Sequence, residues 1–299
     1  MQTSSIKPLT TSELRSFASS IASAWQKMTP KDQEEAIRLL EAAEKAVCEA
    51  RFFDFYPDEG PLARKHYRKH IEFMRLGREC SIRGVISANR VGKTEGCGGY
   101  ELVAHLTGLY PHWWEGARFD KPIRAWVAGD TRLTVRDIIQ AKLLGPWGRF
   151  GTGLIPGFCI VRHVAKPGVP EAVETVWVRH YGPDGRENGL SRLVFKSYDQ
   201  GREAFQGTEQ EVIWLDEESD QGIRNECLLR LMTTRGLLIE TFTPLKGLTP
   251  TVLNYMPEGH VQSDSGIIVS KDKALVQIGW EDVPHLSAED KEKIRRETP

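Results

Sequence analysis

No run of eighteen apolar residues interrupts the 299-residue chain, and Met1 to Thr11 holds no apolar signal core, so neither a membrane span nor secretion is expected. Cysteine is sparse and scattered. Cys48, Cys80, Cys97, Cys159 and Cys227 form no C-x-x-C pair and no Cys/His spacing suited to zinc, so reduced thiols in a cytoplasmic compartment are expected. An excess of one charge is also lacking: 40 Lys and Arg stand against 41 Asp and Glu, a formal net charge of -1. That balance argues against a protein held on nucleic acid by bulk charge and leaves room for local basic surfaces. Internal repeats and low-complexity tracts are absent. What remains is a chain long enough to bury a sizeable core, as one large α/β domain with a subdomain or as two modest domains.

The chain is organised around Ile82 to Glu95, I-R-G-V-I-S-A-N-R-V-G-K-T-E. A short apolar run reads as a buried strand, Ser87, Ala88, Asn89, Arg90, Val91, Gly92, Lys93 and Thr94 as a turn, and the following residues as a helix. This is the layout of a phosphate-binding loop, in which successive N–H groups and a helix N-terminus surround an anion. Lys93 would reach the outer phosphates of ATP, and the Thr94 hydroxyl would sit on Mg2+. The usual opening glycine is replaced by Ser87. Arg90, not needed there for folding, is a candidate cis-acting catalytic group for the γ-phosphate, the alternative being a surface arginine on a polar loop.

A second half-site follows from Val212-Ile213-Trp214-Leu215-Asp216-Glu217. Four consecutive apolar residues imply a strand buried on both faces, so the acids emerge at the carboxyl edge of a sheet, where α/β proteins bind ligands. Asp216 would hold the magnesium ion, and Glu217 would polarise the attacking water. An acidic cap after a strand is the plainer alternative, disfavoured because the acids and the phosphate loop complete one another. Leu238 to Pro244 reads as a strand ending in Thr241 and Thr243, hydroxyls placed to sense the γ-phosphate and couple its state onward.

Elsewhere, residues 1–55 read as a helical appendage, with Thr29-Pro30-Lys31-Asp32 as a helix start. A basic helix follows over 61–75, with Tyr67, Ile71 and Met74 on one face. A solvated basic face explains it; the sharper reading has Tyr67 and His70 contacting adenine. Residues 123–130 form a strand running into a helix, the βα unit of a parallel sheet. Thr175–Tyr181 and Leu190–Tyr198 read as an antiparallel hairpin.

In this order, S-A-N-R-V-G-K-T (87–94), F-K-S-Y-D-Q-G-R-E-A-F-Q-G (195–207), V-I-W-L-D-E-E (212–218), T-F-T-P-L-K-G (241–247) and W-E-D-V-P-H-L-S (280–287) become specific together. The sequence resembles the large subunit of tailed-phage terminases, the ATP-driven motors that package viral DNA. The resemblance implies an α/β fold with a RecA-like P-loop ATPase core over 56–250, its mainly parallel sheet flanked by helices, and a lid or linker over 251–299. It accepts Ser or Ala at the position of Ser87. It further implies a homo-oligomeric ring, monomeric in isolation, that acts on double-stranded DNA with a portal protein and a terminase small subunit. The ring would work in the host cytoplasm, transiently at the procapsid portal, with no membrane and no place in the mature virion. Some members carry a trans-acting arginine directly before the glycine that here is Gly207; this chain has Gln206 there, and Arg202 is the nearest candidate. Family members continue into an RNase H-type nuclease domain, and with the sequence ending at Pro299 no DNA cleavage is expected. Other classes considered are a helicase-like P-loop translocase, a nucleotide-gated assembly scaffold with negligible turnover, and a small-molecule kinase.

Overall fold

The computed structural model describes residues 11–244, 247, 249–256 and 265–297. Helices α1 (Thr11–Ala24) and α2 (Pro30–Ala50) open the chain. The start of α2 is capped as the sequence suggests, since the Thr29 hydroxyl donates to Asp32 Oδ2 at 2.6 Å and accepts from the Asp32 N–H at 3.3 Å. The basic stretch is not one helix. A 3-10 turn (Arg64–His66) ends at Tyr67, whose backbone (φ -108°, ψ 43°) breaks the run before α3 (Arg68–Arg75).

Among the described residues, the centre of the molecule is a nine-stranded sheet of order β3-β4-β5-β2-β6-β7-β1-β9-β8. Its parallel part comprises β1 (Ile82–Ser87), β2 (Arg124–Gly129), β6 (Val212–Asp216), β7 (Leu237–Phe242) and β9 (Lys273–Ile278). All residues of β6 and β7 are buried, as strands covered by helices on both faces must be. One face packs Val85, Trp214, Ile239 and Val276 against α3 and α4 (Tyr100–Thr107); the other packs Ile213, Leu215 and Leu238 against α7 (Gln221–Met232). Between β2 and the hairpin run the short helices α5 (Arg132–Thr134) and α6 (Ala141–Leu143), joined by a π turn (Val135–Gln140). The expected hairpin is β4 (Val173–Tyr181) with β5 (Glu187–Ser197), and β3 (Ile160–Ala165) makes it a three-stranded antiparallel extension. β5 then joins β2 in parallel, so the extension belongs to the central sheet.

Within 251–299, where a lid or linker is expected, the described residues include two strands of the central sheet. After the short helix α8 (Pro250–Leu253), β8 (Ile267–Ser270) and β9 complete the sheet, with β9 beside β1; the helix α9 (Ala288–Glu297) follows. Beta pairing so distant in sequence leaves no local signal. Two buried ion pairs tie layers together. The Arg83 guanidinium on β1 donates to both Glu101 oxygens on α4 at 2.9 and 2.5 Å, and Arg224 on α7 lies 3.0 Å from Glu240 on β7, which also accepts from the Tyr255 hydroxyl. Burial opposes the Glu101 carboxylate, yet Arg83 and His105 hold it below the ordinary range.

Candidate active site

The phosphate loop leaves the carboxyl end of β1 and is shaped by two left-handed residues, Arg90 (φ 63°) and Gly92 (φ 86°). Gly92 takes that backbone without strain, whereas Arg90 must be held in it by its surroundings. From Lys93 the chain enters a π turn (Lys93–Gly99) that continues as α4. Its glycines permit close packing: a Cβ on Gly98 would lie 2.3 Å from the Trp214 indole, and one on Gly96 2.7 Å from the Tyr56 hydroxyl. The start of the helix is thereby pressed onto the strand that carries the acids.

Seven residues that the sequence assigned to one site meet there. Lys93 Nζ donates to Thr243 Oγ1 at 2.9 Å and lies 2.9 Å from Glu217 Oε1. The Thr94 hydroxyl donates to Asp216 Oδ1 at 3.0 Å, and the Thr241 hydroxyl donates to the same oxygen at 2.7 Å. Glu217 has a left-handed backbone (φ 63°), its N–H donates to the Thr241 carbonyl at 2.8 Å, and its Oε2 accepts from the Thr243 N–H at 3.3 Å. Thr243 also donates to Asn89 Oδ1 at 3.3 Å, linking the β7 exit to the loop. Burial raises the Asp216 carboxyl to about 6, with the Glu217 charge adding to it and Thr241, Lys93 and Thr94 opposing.

Several supporting groups carried no assigned role in the sequence. The Trp214 N–H donates to Thr241 Oγ1 at 2.7 Å, so Trp214, Thr241 and Asp216 form a chain of hydrogen bonds. The Tyr198 hydroxyl, within the quoted F-K-S-Y-D-Q-G-R stretch, reaches the Asp216 and Glu217 carbonyls at 3.1 and 3.0 Å. Trp280 and His285, in the W-E-D-V-P-H motif, reach the carbonyls of Asn89 and Arg90.

The expected adenine contacts do not have free faces. His70 is 1 % exposed, its Nδ1 shares a 2.7 Å hydrogen bond with the Tyr56 hydroxyl, and burial lowers its pKa to about 4. Tyr67 is 8 % exposed and stacks on His285. Both rings form the wall behind the loop: His70 lies on the buried face of α3 with Phe73 and Met74, and a Cβ on Gly92 would lie 3.1 Å from its ring. Arg90 has an exposed side chain. Arg202 spends its guanidinium on Glu226 of α7, at 2.8 Å through Nε and 2.6 Å through Nη2.

The residues suit a magnesium–phosphate group. The buried, uphill Asp216 carboxylate faces the Thr94 hydroxyl, and the buried Ser87 Oγ has no hydrogen-bond partner among the described residues. Among those residues no cluster of three or more His, Cys, Asp or Glu side chains could hold a metal alone. A cation here would share its oxygen ligands with phosphate and water, as magnesium does.

Residues 85–299 match the family described as "Terminase large subunit, T4likevirus-type, N-terminal". The large terminase subunit of Salmonella phage P22 is 30% identical over 282 residues, a match that covers 89% of this chain and 52% of that protein. The chain therefore spans about half the length of this curated relative. Among solved structures, the large-terminase ATPase domain of Thermus phage P74-26 superposes with a TM-score of 0.50 at 15% identity, covering 78% of this chain and 88% of that one. A mutant of that domain gives 0.52 at 17% identity, covering 74% and 84%. The structural likeness establishes the RecA-like α/β fold. Taken with the family match over most of its length, it follows that this chain belongs to the terminase large-subunit family, in the region that forms the family's N-terminal part.

Proposed function

We propose that the chain binds ATP with Mg2+, hydrolyses it, and couples the hydrolysis to movement of double-stranded DNA into a procapsid. The observation that carries this is the convergence of Lys93, Thr94, Asp216, Glu217 and Thr243 at the carboxyl ends of β1, β6 and β7. Lys93 binds the outer phosphates, and the loop N–H groups from Ser87 to Thr94 cradle them. In the free protein Lys93 is paired with Glu217. Phosphate oxygens compete for the ammonium, which releases the Glu217 carboxylate to hold a water molecule and take its proton. Thr94 and Asp216 would hold magnesium, which when bound offsets phosphate charge. Arg90, exposed within the loop, supplies a cation for the transferring phosphoryl group. Thr241, bonded to Asp216, and Thr243, bonded to Lys93, carry the state of the site into β7.

DNA is gripped through backbone phosphates, since a packaging motor must ignore sequence. The working form is a homo-oligomeric ring on a portal protein, served by a terminase small subunit in the host cytoplasm. Residues 1–55 act as an appendage to the ATPase core, and Arg202 is a trans-acting arginine that must leave Glu226 to reach a neighbour. The test compares ATP binding and turnover, with and without duplex DNA, in the unsubstituted chain, Lys93→Ala and Glu217→Gln. Lys93→Ala should lose nucleotide binding, and Glu217→Gln should bind ATP without hydrolysing it. Turnover by Glu217→Gln at the unsubstituted rate would overturn the assignment.

A further inference from the structure

Residues 280–285 lie across the phosphate loop. The Trp280 N–H donates to the Asn89 carbonyl at 3.0 Å, and His285 Nε2 meets the Arg90 carbonyl at 2.8 Å. A carbonyl only accepts, so the His285 proton sits on Nε2, and Nδ1 is left to accept from the Tyr67 hydroxyl at 3.1 Å. The Tyr67 ring also stacks on the imidazole, with centroids 5.8 Å apart and planes at 17°. Asp282 pins the segment from both ends of its reach, accepting from the Gly279 N–H at 2.7 Å and from Lys69 Nζ at 2.9 Å. Two successive loop carbonyls are thus held from one side, at the residue whose left-handed backbone (φ 63°) is unfavourable for arginine. Such a backbone persists only where its surroundings over-determine it.

We infer that His285, oriented by Tyr67, is a positioning residue for the nucleotide. It fixes the Arg90 peptide, and with it the direction of the Arg90 side chain and of the loop N–H groups that follow; Trp280 does the same one residue earlier. The inference rests on the reading of this loop as the phosphate site. It requires an N–H donor at the place of Nε2 and an acceptor for the Tyr67 hydroxyl, both of which a glutamine amide offers and alanine does not.

The experiment uses the whole chain with magnesium and a fluorescent ATP analogue, and measures equilibrium binding, KM, kcat and melting temperature for His285→Ala, His285→Gln, Trp280→Phe and Lys93→Ala. Loss of one loop-fixing hydrogen bond should weaken analogue binding about tenfold in His285→Ala. His285→Gln should recover most of that, and Trp280→Phe, which keeps its ring, should show a loss of the same kind. Unchanged binding in His285→Ala, or no recovery in His285→Gln, overturns the inference. So do losses that simply follow melting temperature across the variants, which would mark a structural role. If Lys93→Ala alone loses binding, the positioning role fails and the nucleotide site stands; if Lys93→Ala still binds, the site reading itself is wrong.

Discussion

Asp216→Asn should stabilise the free protein near neutral pH while removing its response to magnesium nucleotide. The carboxyl is 5 % exposed, and burial lifts its pKa from 3.8 to about 6. Between those values the folded chain holds a proton that the unfolded chain has released. Stability from this group is therefore lost as pH rises from about 4 to about 6, and it stays lost above that window. Keeping the ionised form buried costs on the order of 3 kcal/mol. Asparagine preserves the shape and an acceptor for Thr241 without the charge, so most of that cost is relieved. In a chain of this size the gain corresponds to roughly 5 °C in melting temperature. Thermal unfolding of both proteins in EDTA across this pH range isolates the group, because every other carboxylate is common to the pair. The difference should be near zero at about pH 4 and full by about pH 7. Magnesium with ATP should then raise the melting temperature of the unsubstituted chain and leave the variant unchanged. A variant less stable than the parent at neutral pH, or a difference that does not vary with pH, would refute the reasoning.

Gly98→Ala would place a methyl 2.3 Å from the indole that bonds Thr241, and should cost about 1–3 kcal/mol in urea unfolding along with a fall in turnover. Arg83→Met would strand Glu101 in the core with His105 alone, costing about 3–5 kcal/mol, and adding Glu101→Gln should recover much of the loss. Arg202→Ala removes a partner from Glu226, which keeps Arg230 at 3.9 Å, so the loss should be about 1 kcal/mol; nucleotide affinity of the dilute protein should not change.

The parts of the site that could be read in advance share one property: each is announced by residues adjacent in the chain. The buried run Val212–Leu215 ending in Asp216 and Glu217 fixes which edge the acids occupy, and the short buried run of β1 does the same for the loop. What was not legible depends on distant partners. The buried face of α3 is His70, Phe73 and Met74 rather than the Tyr67, Ile71 and Met74 face expected, because the polar His70 is accepted inside by the Tyr56 hydroxyl, a partner on another segment. The commitment of Arg202 depends on Glu226, which lies on another element. The same holds for β9, whose six residues carry no mark of lying beside β1. Trp280 and His285 stood within a quoted motif, but their role is set by two backbone carbonyls, groups that every residue possesses.

The placement of β1 between β7 and β9 also bears on how the protein is made. Ile82 pairs with Leu238 on one side and with Lys273 on the other, so the strand that carries the phosphate loop is synthesised long before either neighbour exists. During that interval a nascent chain exposes two unpaired edges of an apolar strand, a state prone to association. The ribosome must deliver β7 before β1 gains its first neighbour and β9 before it gains its second. Slow elongation between the two would lengthen the exposure, whereas chaperone capture of the nascent segment would shield it. The loop between β1 and α4 is thus encoded early and framed late.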